Sequence, residues 1–209
     1  MTRVPNWSLA LFALTAPLTL GVSAYAASAQ IGAPVTKTAP TAQRYTIDQA
    51  ASSVSAKVAF FGLASKTARF PKMEGDVRIV PGQTEGARID VTFDATALEA
   101  PDSVTLSRLR GEKFFWVEKY PQVRFVGEDL TLTSATKGTL KGQLTARGVT
   151  NPATLDIEFN TPPLSAPKGQ AIGFTGKTTI NRRDFGMDSY RLIVGNKVKI
   201  TLTARMEPA

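Results

Sequence analysis

From Arg44 onward the chain keeps returning to a two-residue period, and that repetition restricts the fold more than any other feature. In ARIDVTFDA the apolar set Ile89, Val91 and Phe93 alternates with Asp90, Thr92 and Asp94; in SSVSAKVAF it is Val54, Ala56, Val58 and Phe60. Successive side chains of a strand point to opposite faces, so this alternation describes strands with one dry face and one wet face. The pattern recurs around Phe125 in VRFVGEDLTL, at Leu140 and Leu144 in TLKGQLTA, and at Leu155, Ile157 and Phe159 in TLDIEFN. It returns at Phe174 and Ile180 in GFTGKTTI and at Val198, Ile200 and Leu202 in KVKITLTA. Between these runs PGQTEG, TSATKG, TPPLSAPKGQ and VGN supply the chemistry of turns. About eight or nine short strands so spaced predict an antiparallel sandwich or barrel.

The amino-terminal stretch, residues 1–29, reads as a secretory signal peptide: Arg3, an apolar run from about Leu9 to Val22, then small-residue sites ending at Ala26 and Ala29, with cleavage after Ala29 preferred. The run is interrupted by Pro17 and is shorter than the roughly 20 apolar residues of a membrane-spanning helix. Residues 30–43, rich in Ala, Thr and Pro, read as a flexible leader, and residues 44–209 as one domain. Such a signal on a chain without cysteine points to the periplasm, with core burial rather than disulfides holding the fold.

Histidine is absent as well. Without His or Cys no ordinary zinc cage, Ser-His-Asp triad or Cys-His pair can be built. Carboxylate-only catalysis or a Lys nucleophile is chemically open, but nothing in the sequence favours it, so neither enzymatic activity nor a cofactor or metal is expected. The formal charge of +8, of which Arg3 belongs to the signal, suits anionic membranes, envelope polymers or phosphorylated ligands.

One segment departs from the two-residue period. DSVTLSRLRGEKFFWVEK, Asp102 to Lys119, places Leu106, Leu109, Lys113 and Val117 at helical spacing, with Asp102 or Ser103 as cap and Gly111 as a break. A short helix is predicted, then a second helical turn carrying Phe114, Phe115 and Trp116 and ending at Tyr120-Pro121. Three adjacent aromatics either plug a sheet core or cover an apolar cavity, and the same rings can do both. Stacking on nucleic acid is disfavoured, because the basic residues are spread over many strands. In INRRDFGMD, strand parity aims Arg182 inward with Phe174 and Ile180, while Asn181 and Arg183 face out. A buried guanidinium needs a partner, either a carboxylate, most simply Asp184, or the polar head of a ligand. The DFG tripeptide and the GKT of GFTGKTTI lack the elements that would make them part of a kinase or a phosphate loop.

Taken together, RYTIDQAASSVSAKVAF, LRGEKFFWVEKYPQVRF, and RGVTNPATLDIEF with INRRDFGM resemble, in order, the YceI-like family of bacterial envelope proteins, from Arg44 to about Glu207. The resemblance implies an all-β fold, an extended eight-stranded antiparallel lipocalin-like barrel with a short helical insert, whose long apolar pore binds polyisoprenoid lipids. Ligand-binding residues on that reading are Phe60, Phe93, Leu109, Phe114, Phe115, Phe125, Leu144, Ile157, Phe174, Ile180, Arg182 and Phe185. Family members commonly carry histidine where this chain has Ala51, Phe61, Ser107-Arg108 and Arg147, so any role of those histidines does not transfer. Small inward residues such as Gly142, Ala146 and Gly176 are expected to leave room for a prenyl chain, which gains roughly 0.8 kcal/mol per buried carbon group. The function implied is periplasmic carriage or sequestration of an isoprenoid-type lipid, a polyprenyl phosphate or a quinone. Expected partners are that lipid, an anionic membrane surface in passing and a homodimer, with no nucleic acid. Two rivals are a basic structural or stress-response module that binds an anionic envelope polymer around a solid barrel, and a carboxylate-based enzyme acting on a lipid head group.

Overall fold

The computed structural model describes residues 41–209; the predicted signal peptide and most of the leader, residues 1–40, lie outside the described residues. Ten strands follow one another: β1 (Gln43–Ile47), β2 (Ser53–Phe60), β3 (Ala64–Phe70), β4 (Met73–Val80), β5 (Gln83–Asp94), β6 (Gln122–Leu132), β7 (Lys137–Ala146), β8 (Val149–Phe159), β9 (Ile172–Asn181) and β10 (Val194–Pro208). The one α-helix among the described residues, α1 (Ser103–Arg110), lies between β5 and β6.

Strands β1, β4, β5, β6, β7, β8, β9 and β10 pair in that order, all antiparallel, and β1 pairs back onto β10, which closes an eight-stranded barrel. Closure removes free sheet edges, the physical reason such barrels are stable without covering layers. The length of β10 is what makes it work. Its residues Val194 to Thr203 pair with β2, and Met206 to Pro208 pair with β1. Thus β1 and β2 occupy one place in the wall in succession, and β3 and β4, separated by Pro71-Lys72, occupy the next. The far edge of β3 meets a strand partner only at Glu99, through paired backbone bonds of 2.9 and 3.0 Å with Arg69. There the segment carrying α1 takes the place of a strand.

The alternation seen in the sequence is realised: Ile89, Val91 and Phe93 are buried on β5, Leu155, Ile157 and Phe159 on β8, and Ile172 and Phe174 on β9. Three local expectations are corrected. QTEG opens β5 rather than a loop, the turn before it being Pro81-Gly82, and the VGN thought to join two strands lies in β10, where the ladder with β2 shifts between Val194 and Val198. The aromatic stretch is not a second turn of helix. Gly111, extended at ψ 172°, ends α1, and its carbonyl accepts from the amides of both Phe114 and Trp116 at 3.0 Å, so 112–119 runs as consecutive turns.

The inward glycines do not leave room, which corrects a further expectation. Gly127 and Gly142 stand directly opposite each other on β6 and β7. A Cβ on Gly142 would lie 2.7 Å from Gly127 Cα and 2.8 Å from the Phe125 ring, and one on Gly176 would meet Leu155 at 3.2 Å. Neighbouring large side chains have taken the space, as interiors packed like organic crystals require. Gly142→Ala is therefore expected to cost about 2 kcal/mol, seen as a fall in Tm of about 4–8 °C in thermal unfolding. An unchanged Tm would mean that β6 and β7 can part without penalty.

Candidate ligand-binding cavity

Within the barrel, towards the end covered by the α1 segment, lies a cavity of about 100 Å³ whose exposed wall is entirely apolar. Phe93 from β5, Val123 and Phe125 from β6, Leu144 and Ala146 from β7, and Ala153 and Leu155 from β8 form one side. Thr178 and Ile180 from β9, with Val198, Ile200 and Leu202 from β10, form the other, while Val54, Phe70, Phe115, Met187 and Arg182 complete it.

Six of the twelve residues expected at the site line this cavity: Phe93, Phe115, Phe125, Leu144, Ile180 and Arg182. The other six are placed elsewhere. Ile157 and Phe174 are buried in the solid part of the barrel, where Phe174 packs against Phe159 with ring centroids 5.8 Å apart. Phe185 is buried in the core behind an outer groove, and Leu109 packs onto the core from α1. Phe114 is buried outside the main cluster, stacked on Tyr190 at 5.9 Å. Phe60, at the far end of β2, packs edge-on against Phe61 and does not reach the cavity. Parity chose the inward face correctly for these strands, but it says nothing about how far along the barrel the interior is filled. Phe70 and Met187 were missed because β3 buries little of its face and Met187 follows a left-handed Gly186 rather than a strand.

The three aromatics of the insert divide their roles. Phe115 points into the cavity and packs edge-on against Phe70 at 5.5 Å. Phe114 holds Tyr190, over whose ring Arg108 and Lys113 each sit at 5.6 Å. Trp116 packs outside on Tyr120 at 5.8 Å, beneath Lys119 at 4.5 Å. The insert itself is anchored by Asp102, the amino-terminal cap of α1, whose carboxylate accepts from the Thr105 amide at 2.8 Å and hydroxyl at 2.9 Å and from Lys66 at 2.7 Å. The Lys66 hydrogen bond first, and the Thr105 bonds after it, lower the carboxyl to about 2. A depressed carboxyl contributes anchoring above its ordinary range and loses it as pH falls towards the folded value. Trp116 emission is accordingly expected to shift between about pH 4 and pH 2, and in Asp102→Ala to be shifted already at neutral pH. Emission that is flat with pH in wild type would detach the insert from this cap.

Arg182 resolves differently from either expected outcome. It is 3% exposed and contacts no carboxylate among the described residues. Its Nε donates to the Gly195 carbonyl at 2.9 Å, one terminal nitrogen to Val194 at 3.0 Å and the other to Met187. Asp184 instead accepts from the Asn181 side chain at 2.8 Å. Burial first, and the Arg183 charge after it, lower the Arg182 pKa, yet a guanidinium stays protonated in proteins. Arg147 likewise ends on carbonyls, those of Gly186 and, at 2.9 Å, Glu112, tying the β7–β8 turn to the insert.

The wall of the cavity is weakest between β8 and β9. Strands β7–β8 and β9–β10 each share ten register pairs, but β8–β9 share only four, from Asp156↔Lys177 to Phe159↔Phe174. Beyond them residues 151–155 and 178–181 part, and the opening is bounded at its far end by Asn151 donating to the Asp184 carbonyl at 2.8 Å. Pro152, which has no N–H to give, sits in this stretch, as prolines do where a strand edge is free. Outside the split lies an open groove of about 680 Å³, and Ala153, Thr178, Ile180 and Ile200 border both groove and cavity.

A closed eight-stranded antiparallel barrel with an apolar interior under a helical insert places the protein among the lipocalin-like barrels. The YceI-like domain family model matches residues 45–206, and the chain belongs to that family. It is 27% identical over 131 residues to a UPF0312 protein of Pseudomonas putida (strain GB-1), covering 63% of this chain and 68% of that one. A UPF0312 protein of Vibrio cholerae is 27% identical over 151 residues, covering 71% and 80%. Among solved structures, Burkholderia cenocepacia BcnA aligns with a TM-score of 0.67 at 23% identity over 76% of this chain and 98% of BcnA. A polyisoprenoid binding domain from Saccharophagus degradans, implicated in plant cell wall breakdown, aligns with a TM-score of 0.59 at 16% identity, covering 79% and 98%. At these identities the structural likeness establishes the fold.

Proposed function

We propose that the protein binds an isoprenoid-type lipid, a polyprenyl phosphate or a quinone, and carries or sequesters it in the periplasm without chemically changing it. The observation that carries this reading is the wholly apolar cavity enclosed by the barrel; the polyisoprenoid-binding description of one structural neighbour agrees with it. At about 100 Å³ the cavity is smaller than the roughly 300–1,000 Å³ of ordinary ligand sites, so in this state it admits only part of a prenyl chain. The β8–β9 split supplies the rest: widening it breaks no ladder hydrogen bonds, and the threonine- and asparagine-lined groove outside offers a polar head its contacts. Organic extraction of protein purified from the periplasmic fraction, followed by mass spectrometry, is expected to release a prenyl lipid. An empty extract together with no binding of farnesol or farnesyl phosphate in titration overturns the reading.

The rival of a basic module around a solid barrel draws on a different observation. Lys57, Lys177, Lys197 and Lys199 all face outward on β2, β9 and β10, Lys57 directly opposite Lys199, and among the described residues none pairs with a carboxylate. Binding of an anionic envelope polymer that vanishes at high salt, in protein that takes up no lipid, would favour it.

A further inference from the structure

We propose that the tip of the β2–β3 hairpin and the neighbouring 188–193 loop form a docking surface for an anionic lipid bilayer. Three of the five large apolar side chains exposed among the described residues sit here: Phe61 at 63%, Leu63 at 101% and Leu192 at 98%. The two loops lie side by side, because the Phe61 amide donates to the Ile193 carbonyl at 2.8 Å. Phe61 and Gly62 both take left-handed backbone, φ 52° and 73°, turning the hairpin tightly so that Phe61 and Leu63 stand out from it. An aromatic residue is uncommon in that conformation, and here it is spent on exposing a ring rather than burying one.

The charge around the tip is net positive: Lys66 is held by Asp102 and Arg191 by Asp188, while Lys57 and Lys197 pair with no carboxylate among the described residues. Residues 57–66 hold Lys57 and Lys66 and no acid; residues 187–197 hold Arg191 and Lys197, with Asp188 as the one carboxylate, occupied by Arg191 at 3.1 Å. Apolar side chains in a rim of cations are the pattern of a protein that inserts shallowly between anionic head groups. Three side chains on two adjoining loops are small beside the roughly 1,200–2,000 Å² of a stable protein interface, which favours a fluid surface over a second copy of the chain. The tip is also joined to the cover of the cavity, since Tyr190 of the same loop stacks on Phe114 of the insert. Docked here, the barrel's covered end would rest on the membrane, and a lipid would enter without crossing water. That purpose rests on the lipid-binding reading, whereas the docking itself does not.

The test is co-sedimentation with vesicles of phosphatidylglycerol and phosphatidylethanolamine, compared with vesicles of phosphatidylcholine alone. Wild type is expected to sediment with the anionic vesicles, less so at high salt. Leu63→Ser/Leu192→Ser, which alters only exposed side chains and is expected to keep its Tm, should bind them about tenfold more weakly or less. No sedimentation of wild type, or equal sedimentation of the variant, overturns the proposal. So does light scattering that shows a wild-type dimer lost in the variant without any vesicle binding. Farnesol titration in vesicle-free buffer separates the two readings: a variant that still binds farnesol but not vesicles supports docking, and a wild type that docks but binds no farnesol leaves docking standing while the lipid reading falls.

Discussion

Arg182→Met should lower the stability of the barrel by about 3 kcal/mol or more, a fall in Tm of roughly 6–12 °C, although no ion pair is broken. The guanidinium is the shared donor for three carbonyls, on Met187, Val194 and Gly195, which it draws together from the chain just beyond the short 3-10 turn Arg182–Phe185 and the start of β10. Methionine fills much of the same volume but donates nothing, so it leaves those acceptors without partners in a region where water is excluded, and buried unsatisfied groups are costly. Arg182→Lys should recover little, since a single ammonium cannot present a planar fork to three separated oxygens. Full recovery with lysine would show that charge alone matters there. The same pair of variants tests whether Arg182 reads a ligand head: its stem borders the cavity, but its fork is committed to backbone. Farnesyl phosphate and farnesol should weaken equally in a variant held below its melting range, and a loss confined to the phosphate would return Arg182 to the site.

Ala146→Phe should weaken farnesol binding about a hundredfold, or ~2.8 kcal/mol, while costing the fold no more than about 1–2 kcal/mol. Ala146 is buried on β7 and lines the cavity beside Leu144 and Phe125, so the added ring goes into space that exists. Gly176→Leu provides the contrast. Its position belongs to the solid part of the barrel, between Leu155 and Leu202, where even a methyl group meets neighbours at 3.2 and 3.8 Å. That variant should lose stability, and its residual folded fraction should bind as wild type does. If Ala146→Phe destabilises as much as Gly176→Leu and both bind equally, the cavity is a packing defect rather than a site.

Much of the architecture was readable because alternation is a local property. Val91 and Phe93 against Asp90 and Thr92 announce a half-buried strand whatever the strand pairs with, and Asp102 with Gly111 bracket α1 by capping chemistry that acts within one turn. The short strands were harder. β4 buries Met73, Val77 and Ile79 in alternation but interrupts the pattern at Gly75, whereas β3 buries only Ala68 and Phe70 and offers little pattern at all. The second helical turn does not form because Lys113 and Val117 fall at helical spacing by coincidence, while the backbone bonds to Gly111 fold the segment otherwise.

By itself the sequence determined which residues turn inward, where the regular alternation breaks, and which chemistries are impossible without histidine or cysteine, because these depend on residue type and on neighbours a few positions away. Only the tertiary structure decided that β1 closes onto β10, that Phe125 and Leu140 occupy the space beside Gly127 and Gly142, that carbonyls 12 and 13 residues downstream answer Arg182, and that β8 parts from β9 beyond Asp156. Each of these is a relation between strands, and a strand's own two-residue period records which face is buried but not what stands across from it.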